Sequence, residues 1–143
     1  MPTTPPRVYV CPVPTQPGAI ATIKKAVLAG GGVLVGETDR DFGAYKTHAA
    51  ACDIVVILIC PETLGSADIV AVVAEATRLG KRIIGVWLDY SIEGEPEWLA
   101  REGDGVVPLD QDKIEAVIKG ERVFDDAAGK RMPKKPTPRH RGH

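Results

Sequence analysis

Three short polar segments contain the residues whose types could support chemistry, and each follows a predicted β-strand. Cysteines begin two of them, CPVPTQPG (residues 11–18) and CPETLGS (residues 60–66), and the third is the acidic GETDRDFG (residues 36–43). A cysteine at the start of a helix can have a lowered thiol pKa and act as a nucleophile. A thiol enzyme that uses Cys11 or Cys60 is therefore one interpretation. The favoured alternative is that both are small buried apolar residues.

The same segments could instead bind a ligand through amide and oxygen groups. The amides that follow Gly18, at a helix start, could hold an anionic group, and Glu37 or Asp39 could bind a ribose hydroxyl. Glu62 and Ser66 complete the predicted ligand-binding set, together with the two cysteines. The first segment contains three prolines, which have no N–H, so a standard dinucleotide site is not expected. For the acids of the second segment, solvated turn residues remain the alternative.

For several other kinds of site, the sequence lacks a residue that the chemistry requires. A small tyrosine phosphatase that used Cys11 would require an arginine where Pro17 stands, and a response regulator would require an aspartate in place of Cys60. His48 and Cys52 have helical i, i+4 spacing, but no second pair of ligands accompanies them, so no metal site is predicted.

The elements that must position these segments alternate regularly between strand and helix. The predicted strands are residues 7–11, 33–37, 54–60, 82–88 and 106–109, and the first predicted helix has an apolar stripe of Ile20, Ile23, Val27 and Leu28. Such alternation predicts a three-layer α/β fold with a parallel, doubly wound sheet. We expect the flavodoxin-like order 2-1-3-4-5, which places the ligand crevice at the carboxyl ends of the first and third strands.

Residues 52–88 resemble the superfamily that joins nucleoside 2-deoxyribosyltransferases to TIR domains. The similar parts are ACDIVVILICPET, the small polar GSAD, the helix that follows, and LGKRIIGVWL, with VYVCP as a further match near the N-terminus. The resemblance implies a flavodoxin-like sheet that holds a nucleoside or NAD as substrate or ligand, with no firmly implied cofactor. It also implies a helix glutamate that acts on the ribosyl carbon when an N-glycosidic bond is broken.

The position of that glutamate is occupied here by Val72, counted back from the Gly80–Lys81 pair. Two nearby acids are the candidate catalytic carboxylates that the resemblance leaves. Asp68 stands at the helix start, where it could equally stabilise the helix end. Glu75 lies off the apolar stripe of the helix and is expected to face solvent.

The charge of the chain is divided between an acidic domain and a basic tail. The net charge is −1, but residues 130–143 carry six Lys or Arg and no Asp or Glu. The rest holds 12 Lys or Arg against 19 Asp or Glu, a net charge of −7. We expect an N-terminal segment (1–6), one domain (7–120) and an extended, proline-rich tail (121–143). Nucleic acid is an unlikely partner except through this tail, and no membrane span or leader sequence is recognised, so a cytoplasmic location is expected.

These observations favour a nucleotide- or nucleoside-type ligand-binding domain related to N-glycosidic-bond enzymes. Enzymatic activity is left open, and it would be of the NAD-hydrolase or deoxyribosyltransferase type. The alternative is a non-catalytic, TIR-like module for sensing or for binding a protein partner, including a second copy of the chain. The resemblance suggests bacterial defence or stress signalling as the setting.

Overall fold

The centre of the molecule is a five-stranded, wholly parallel sheet. The computed structural model describes residues 4–37, 42–88, 97–121 and 123–124. The strand order is β2-β1-β3-β4-β5, which confirms the predicted flavodoxin-like α/β fold. The strands are β1 (Arg7–Val10), β2 (Val33–Val35), β3 (Ile54–Ile59), β4 (Arg82–Trp87) and β5 (Gly105–Pro108).

Helices cover both faces of the sheet. They are α1 (Pro17–Ala29), α2 (Tyr45–Ala51), α3 (Pro61–Leu64), α4 (Ala67–Arg78), α5 (Glu97–Glu102) and α6 (Gln111–Ile118). One apolar cluster joins β1 and β3 to α1 and α6, and a second joins the opposite face to α4. All six residues of β3 are buried, as expected for a central parallel strand covered on both faces. Among the described residues, no helix is both long enough and apolar enough to cross a membrane.

The apolar stripes of the helices mostly face the sheet as predicted. On α4 the buried residues include Ile69 and Val72, and the helix begins after Ser66, whose Oγ accepts a hydrogen bond from the Ile69 amide (3.3 Å). On α1 the prediction was wrong for Leu28, which is 56% exposed. Leu28 lies in the last turn of the helix, on the side opposite the buried stripe that Ile23, Ala26 and Val27 form.

The short helix α3 was not predicted. Its first turn is fixed by Thr63, whose buried hydroxyl donates to the Leu58 carbonyl (2.6 Å) and accepts from the Cys60 amide (3.0 Å). These bonds hold the chain immediately after β3 in one conformation. The helix α3, which carries Glu62, is therefore anchored to the strand itself.

Contacts outside the strand ladder hold the sheet at two places. At the amino ends of β1 and β3, the Asp53 carboxylate accepts a hydrogen bond from the Arg7 amide (2.8 Å) and pairs with the guanidinium of Arg7. On the outer side of β5, the Val106 amide donates to the carbonyl of Val123 (2.7 Å), and Phe124 forms a parallel bridge with Val106. Val123 and Phe124 were assigned to the tail by sequence, and in the structure they lie against the last strand.

Candidate functional site

A cavity of about 140 Å³ lies at the carboxyl ends of β1 and β3, where the predicted order places the ligand crevice. Each of the three polar segments contributes to its wall. The lining comprises residues 12–15 from the first segment, Phe42 from the second, Glu62, Thr63 and Ser66 from the third, and Ile69 of α4. As far as the described residues show, the lining is largely apolar, with one carboxylate and three hydroxyl groups. We call it the switch-point cavity.

A hydrogen bond joins two walls of the switch-point cavity. The Thr15 hydroxyl donates to Oε1 of Glu62 (2.9 Å), so the loop after β1 is tied to the loop after β3. The pKa of Glu62 is lowered because its own backbone amide, the Cys60 thiol and the Thr15 hydroxyl donate to the carboxylate. The group is therefore ionised at neutral pH and held in place on the cavity wall.

The two cysteines of the predicted site are buried on opposite faces of the sheet. Cys11 belongs to the cluster that faces α4, and Cys60 belongs to the cluster that faces α1 and α6. Burial raises the pKa of both thiols. Neither side chain is exposed to solvent. The geometry thus gives the thiol-enzyme interpretation no support and agrees with two small buried apolar residues.

Neither of the two candidate catalytic acids is among the residues that line the switch-point cavity. Asp68 is exposed in the first turn of α4, where Ser66 is the cap. Glu75 forms a two-pronged ion pair with Arg78 on the same helix, with Oε2 2.7 Å from Nη2 and Oε1 3.1 Å from Nε. The Arg78 guanidinium lowers the pKa of Glu75, and its side chain is 15% exposed, less than expected for a residue that faces solvent. Within the described part of the chain, the acid that lines the cavity is Glu62.

A second cavity, of about 410 Å³, lies on the other side of the loop after β1. It shares residues 12–14 with the switch-point cavity and is otherwise lined by α1, including Lys24. Lys24 Nζ donates to the backbone carbonyl of Glu37 (2.6 Å), while the Glu37 side chain is exposed. Gly18 lies in the first turn of α1, and Asp39 lies outside the described residues. We call this the α1 cavity.

A third cavity, of about 440 Å³, lies between α4 and α5. Its lining includes Leu64, Val70, Val73, Thr77, Trp98 and Glu102. Val70 is 60% exposed and Leu64 is 44% exposed. The indole Nε1 of Trp98 is buried and has no hydrogen-bond acceptor among the described residues. We call this the α4–α5 groove.

Sequence reasoning located the switch-point cavity but missed several residues that shape it. Thr15 and Thr63 were not singled out, because their roles depend on contacts that a motif does not encode. Phe42 was contained in the acidic segment, but its ring was not considered as part of the cavity wall. Among the described residues, no three His, Cys, Asp or Glu side chains come together as a potential metal site.

Comparisons with known proteins do not assign this chain to a family. No protein-family model matches the sequence, and no curated protein matches it either. The geometry of the three cavities is therefore the basis on which a function is proposed.

Proposed function

We propose that this domain binds a nucleoside-type ligand, namely a nucleoside, a nucleotide or NAD, at the switch-point cavity. The observation that carries the proposal is the ionised Glu62 carboxylate, which is exposed to solvent and bonded to the Thr15 hydroxyl on the wall of a largely apolar cavity. Small-molecule sites typically combine an apolar lining with a few positioned polar groups. A carboxylate and a neighbouring hydroxyl suit the vicinal hydroxyls of a ribose, and the Phe42 ring offers an apolar surface for a base.

The size of the switch-point cavity favours a ligand that extends beyond it. Its volume of about 140 Å³ is small beside the roughly 300–1,000 Å³ of common ligand pockets. The α1 cavity, across residues 12–14, adds about 410 Å³ and contains the cationic Lys24. Residues 12–14 stand between the two cavities, so Lys24 offers a phosphate site only to a ligand that passes over this loop from Glu62. A ligand of nucleotide length is therefore favoured over a free nucleoside.

We further propose that binding proceeds without cleavage of the N-glycosidic bond. A carboxylate that stabilises an oxocarbenium-like sugar must approach the ribosyl carbon. Asp68 and Glu75 do not line the cavity, and Glu75 is already paired with Arg78. Glu62 does line it, but we assign its carboxylate, bonded to Thr15, to the ribose hydroxyls rather than to the ribosyl carbon. Ligand sensing, in the bacterial defence or stress signalling that the resemblance suggests, is therefore favoured over an NAD-hydrolase or deoxyribosyltransferase activity.

A second candidate function is a TIR-like protein-interaction module. The exposure of Val70 and Leu64 beside the α4–α5 groove favours it, because neighbouring exposed apolar side chains are typical of interaction surfaces. This candidate requires no ligand at the switch-point cavity. The two candidates are therefore separable by experiment.

The test combines thermal stabilisation with detection of released base. The purified protein is incubated with NAD, nucleotides and nucleosides, and base release is followed by chromatography. We expect one nucleotide to raise the melting temperature without release of base, since a ligand at a hundredfold its Kd stabilises by about 2.7 kcal/mol. Glu62→Gln should weaken binding by roughly tenfold, while Asp112→Asn, an exposed acid on α6, should leave it unchanged.

The remaining outcomes distinguish the alternatives. Release of base that is lost in Asp68→Ala or Glu75→Ala would restore catalysis by those acids and contradict the binding-only proposal. Stabilisation that Glu62→Gln does not affect would place the ligand elsewhere. The absence of both stabilisation and release would favour the interaction module.

A further inference from the structure

The α1 cavity combines an apolar wall with a single charged side chain among the residues that the structure describes. Its volume of about 410 Å³ falls within the range of roughly 300–1,000 Å³ that common ligand pockets occupy. The described lining consists of residues 12–14, Pro17, Ile20, Ala21 and Lys24. All of these except Lys24 are apolar, so a ligand that fits this cavity presents mostly apolar surface.

Much of the apolar wall is a strip along one face of α1. Pro17, Ile20, Ala21 and Lys24 have the spacing i, i+3, i+4 and i+7, which places them on the same side of the helix. At a rise of about 1.5 Å per residue, the strip is about 10 Å long. Pro14, Pro17 and Ala21 are exposed, so a ligand can reach this strip from solvent.

Lys24 places a positive charge at one end of the strip. Its Nζ donates to the backbone carbonyl of Glu37 (2.6 Å), in a hydrogen bond that is exposed to solvent. An ammonium group has three N–H donors, so this bond leaves donors for a ligand. No carboxylate pairs with Lys24 within the described part of the chain. The cation is therefore held by the protein and available to an anion.

These two features together select the chemistry of a ligand. One ammonium group balances the charge of one carboxylate, and the resulting charge-assisted hydrogen bond is stronger than a neutral one. The side chains of proline, isoleucine and alanine have no hydrogen-bonding groups, so the rest of the ligand gains only from removal of apolar surface from water. An unsubstituted alkyl chain about as long as the strip meets this requirement.

We propose that the α1 cavity binds an aliphatic carboxylic acid of medium chain length, with its carboxylate on Lys24 and its chain along Pro17, Ile20 and Ala21. Residues 12–14 belong to both cavities, so the bound acid would contact the loop that leads to Thr15. The proposal does not rest on the nucleoside-type ligand of the switch-point cavity, because it uses neither Glu62 nor Thr15.

The test is a titration of the full chain with octanoate at pH 7, followed by methyl NMR. The resonances of Val13, Ile20 and Ala21 should shift until they saturate, while those of Val70, in the α4–α5 groove, should not. Octanol has the same chain without the charge and should bind roughly tenfold more weakly. Butyrate has the same charge but covers less of the strip, so it should also bind more weakly.

Matched variants connect this binding to Lys24. Lys24→Met should weaken octanoate roughly tenfold and leave octanol unchanged, whereas Lys24→Arg should retain most of the affinity for octanoate. Lys25→Met is the control, because Lys25 is the exposed neighbour that does not line the cavity. Glu62→Gln should not affect octanoate, which separates this site from the switch-point cavity.

Several results would overturn the proposal. Octanol that binds as tightly as octanoate would show that Lys24 does not recognise the carboxylate. Equal weakening by Lys24→Met and Lys25→Met would reduce the effect to general charge attraction. Shifts that appear at Val70 and not at Ile20 would assign the acid to the α4–α5 groove, and the absence of any saturable shift would exclude binding.

Discussion

The hydroxyl of Thr15 and the carboxylate of Glu62, 47 positions apart in sequence, form a 2.9 Å hydrogen bond at the carboxyl edge of the sheet. This bond joins the loops that follow β1 and β3, the two strands on either side of the predicted ligand crevice. It also orients Glu62 on the wall of the switch-point cavity. The position of the proposed ligand group is thus set by a contact between loops as well as by the helix that carries Glu62.

Replacement of Thr15 by Val should raise the pKa of Glu62 towards the ordinary glutamate value, because one donor to the carboxylate is lost. A carboxyl whose pKa is lowered in the folded state contributes stability above its unfolded pKa, and that stability is lost as pH falls through the folded value. The variant should therefore lack the stability that the Thr15–Glu62 hydrogen bond contributes, and this loss should extend across the whole neutral pH range. Carbon-detected NMR of the Glu62 carboxyl, followed as a function of pH, measures the midpoint of its titration directly.

The matched control for this titration is Thr22→Val. The Thr22 hydroxyl donates to the Gly18 carbonyl within α1 (3.1 Å) and does not bond to Glu62. The Glu62 midpoint should be unchanged in this variant. An equal shift in both variants, or none in Thr15→Val, would contradict the assigned cause.

Asp53→Ala should destabilise the fold by about 1 kcal/mol, because the Arg7 amide loses its acceptor. The expected loss of stability is small because the Asp53 side chain is 46% exposed and solvent screens its charge. Arg7→Ala should cost about 0.5 kcal/mol or less, since it removes the ion pair and leaves the backbone donor in place. Urea denaturation at pH 7 provides both free energies. A larger loss for Arg7→Ala than for Asp53→Ala would mean that the ion pair, and not the hydrogen bond from the Arg7 amide, supplies most of the stability.

The same pair has a defined pH dependence. The Arg7 amide and then the Arg7 guanidinium lower the pKa of Asp53. The stabilisation should therefore be complete above about pH 4 and decline as pH falls through the lowered folded value. The wild-type protein and Asp53→Ala should accordingly converge in stability in strong acid.

Gly103→Ala should destabilise the end of α5 by about 1–3 kcal/mol, because an added Cβ would lie 2.5 Å from the backbone oxygen of Leu99. A backbone atom cannot move aside as a side-chain end can. Gly65→Ala is the control, since nothing lies within 4 Å of its Cβ position and its φ of −113° suits alanine. Thermal unfolding should separate the two variants, and equal melting temperatures would argue against close packing at Gly103.

The thiols should react slowly in the folded protein and rapidly after denaturation. Cys11, Cys52 and Cys60 are all buried, and burial raises the pKa of each, so the thiolate fraction at pH 8 is below that of a free cysteine. Labelling with an aromatic disulfide, with and without guanidinium, measures the ratio of rates. A native thiol that reacts as fast as the denatured protein would reopen the thiol-enzyme interpretation.

The sheet could be predicted because its signals are local. The apolar run of β3 and the alternation of strands with helices do not depend on distant contacts, and the order of parallel strands follows from few allowed topologies. The buried stripe that contains Ile69 and Val72 was predicted correctly from helical periodicity alone.

The site was less accessible to sequence reasoning because it depends on pairs of distant residues. The carboxylate of Glu62 is held in place by a hydrogen bond from Thr15, which belongs to a different segment of the chain. Glu75 was expected to face solvent, and periodicity could not show that its side chain is only 15% exposed and paired with Arg78. The four-residue α3 is too short for a periodic signal and is defined by the side chain of Thr63.

The segment that pairs with β5 also has a consequence for assembly between molecules. Exposed edge strands act as templates for strand addition, and natural sheets cover or shorten them. Here the outer edge of β5 is occupied by Val123 and Phe124, and the opposite edge is the three-residue β2. A second molecule that tried to continue this sheet would meet an occupied strand on one side and a very short one on the other. Edge-to-edge polymerisation is thereby disfavoured in both directions.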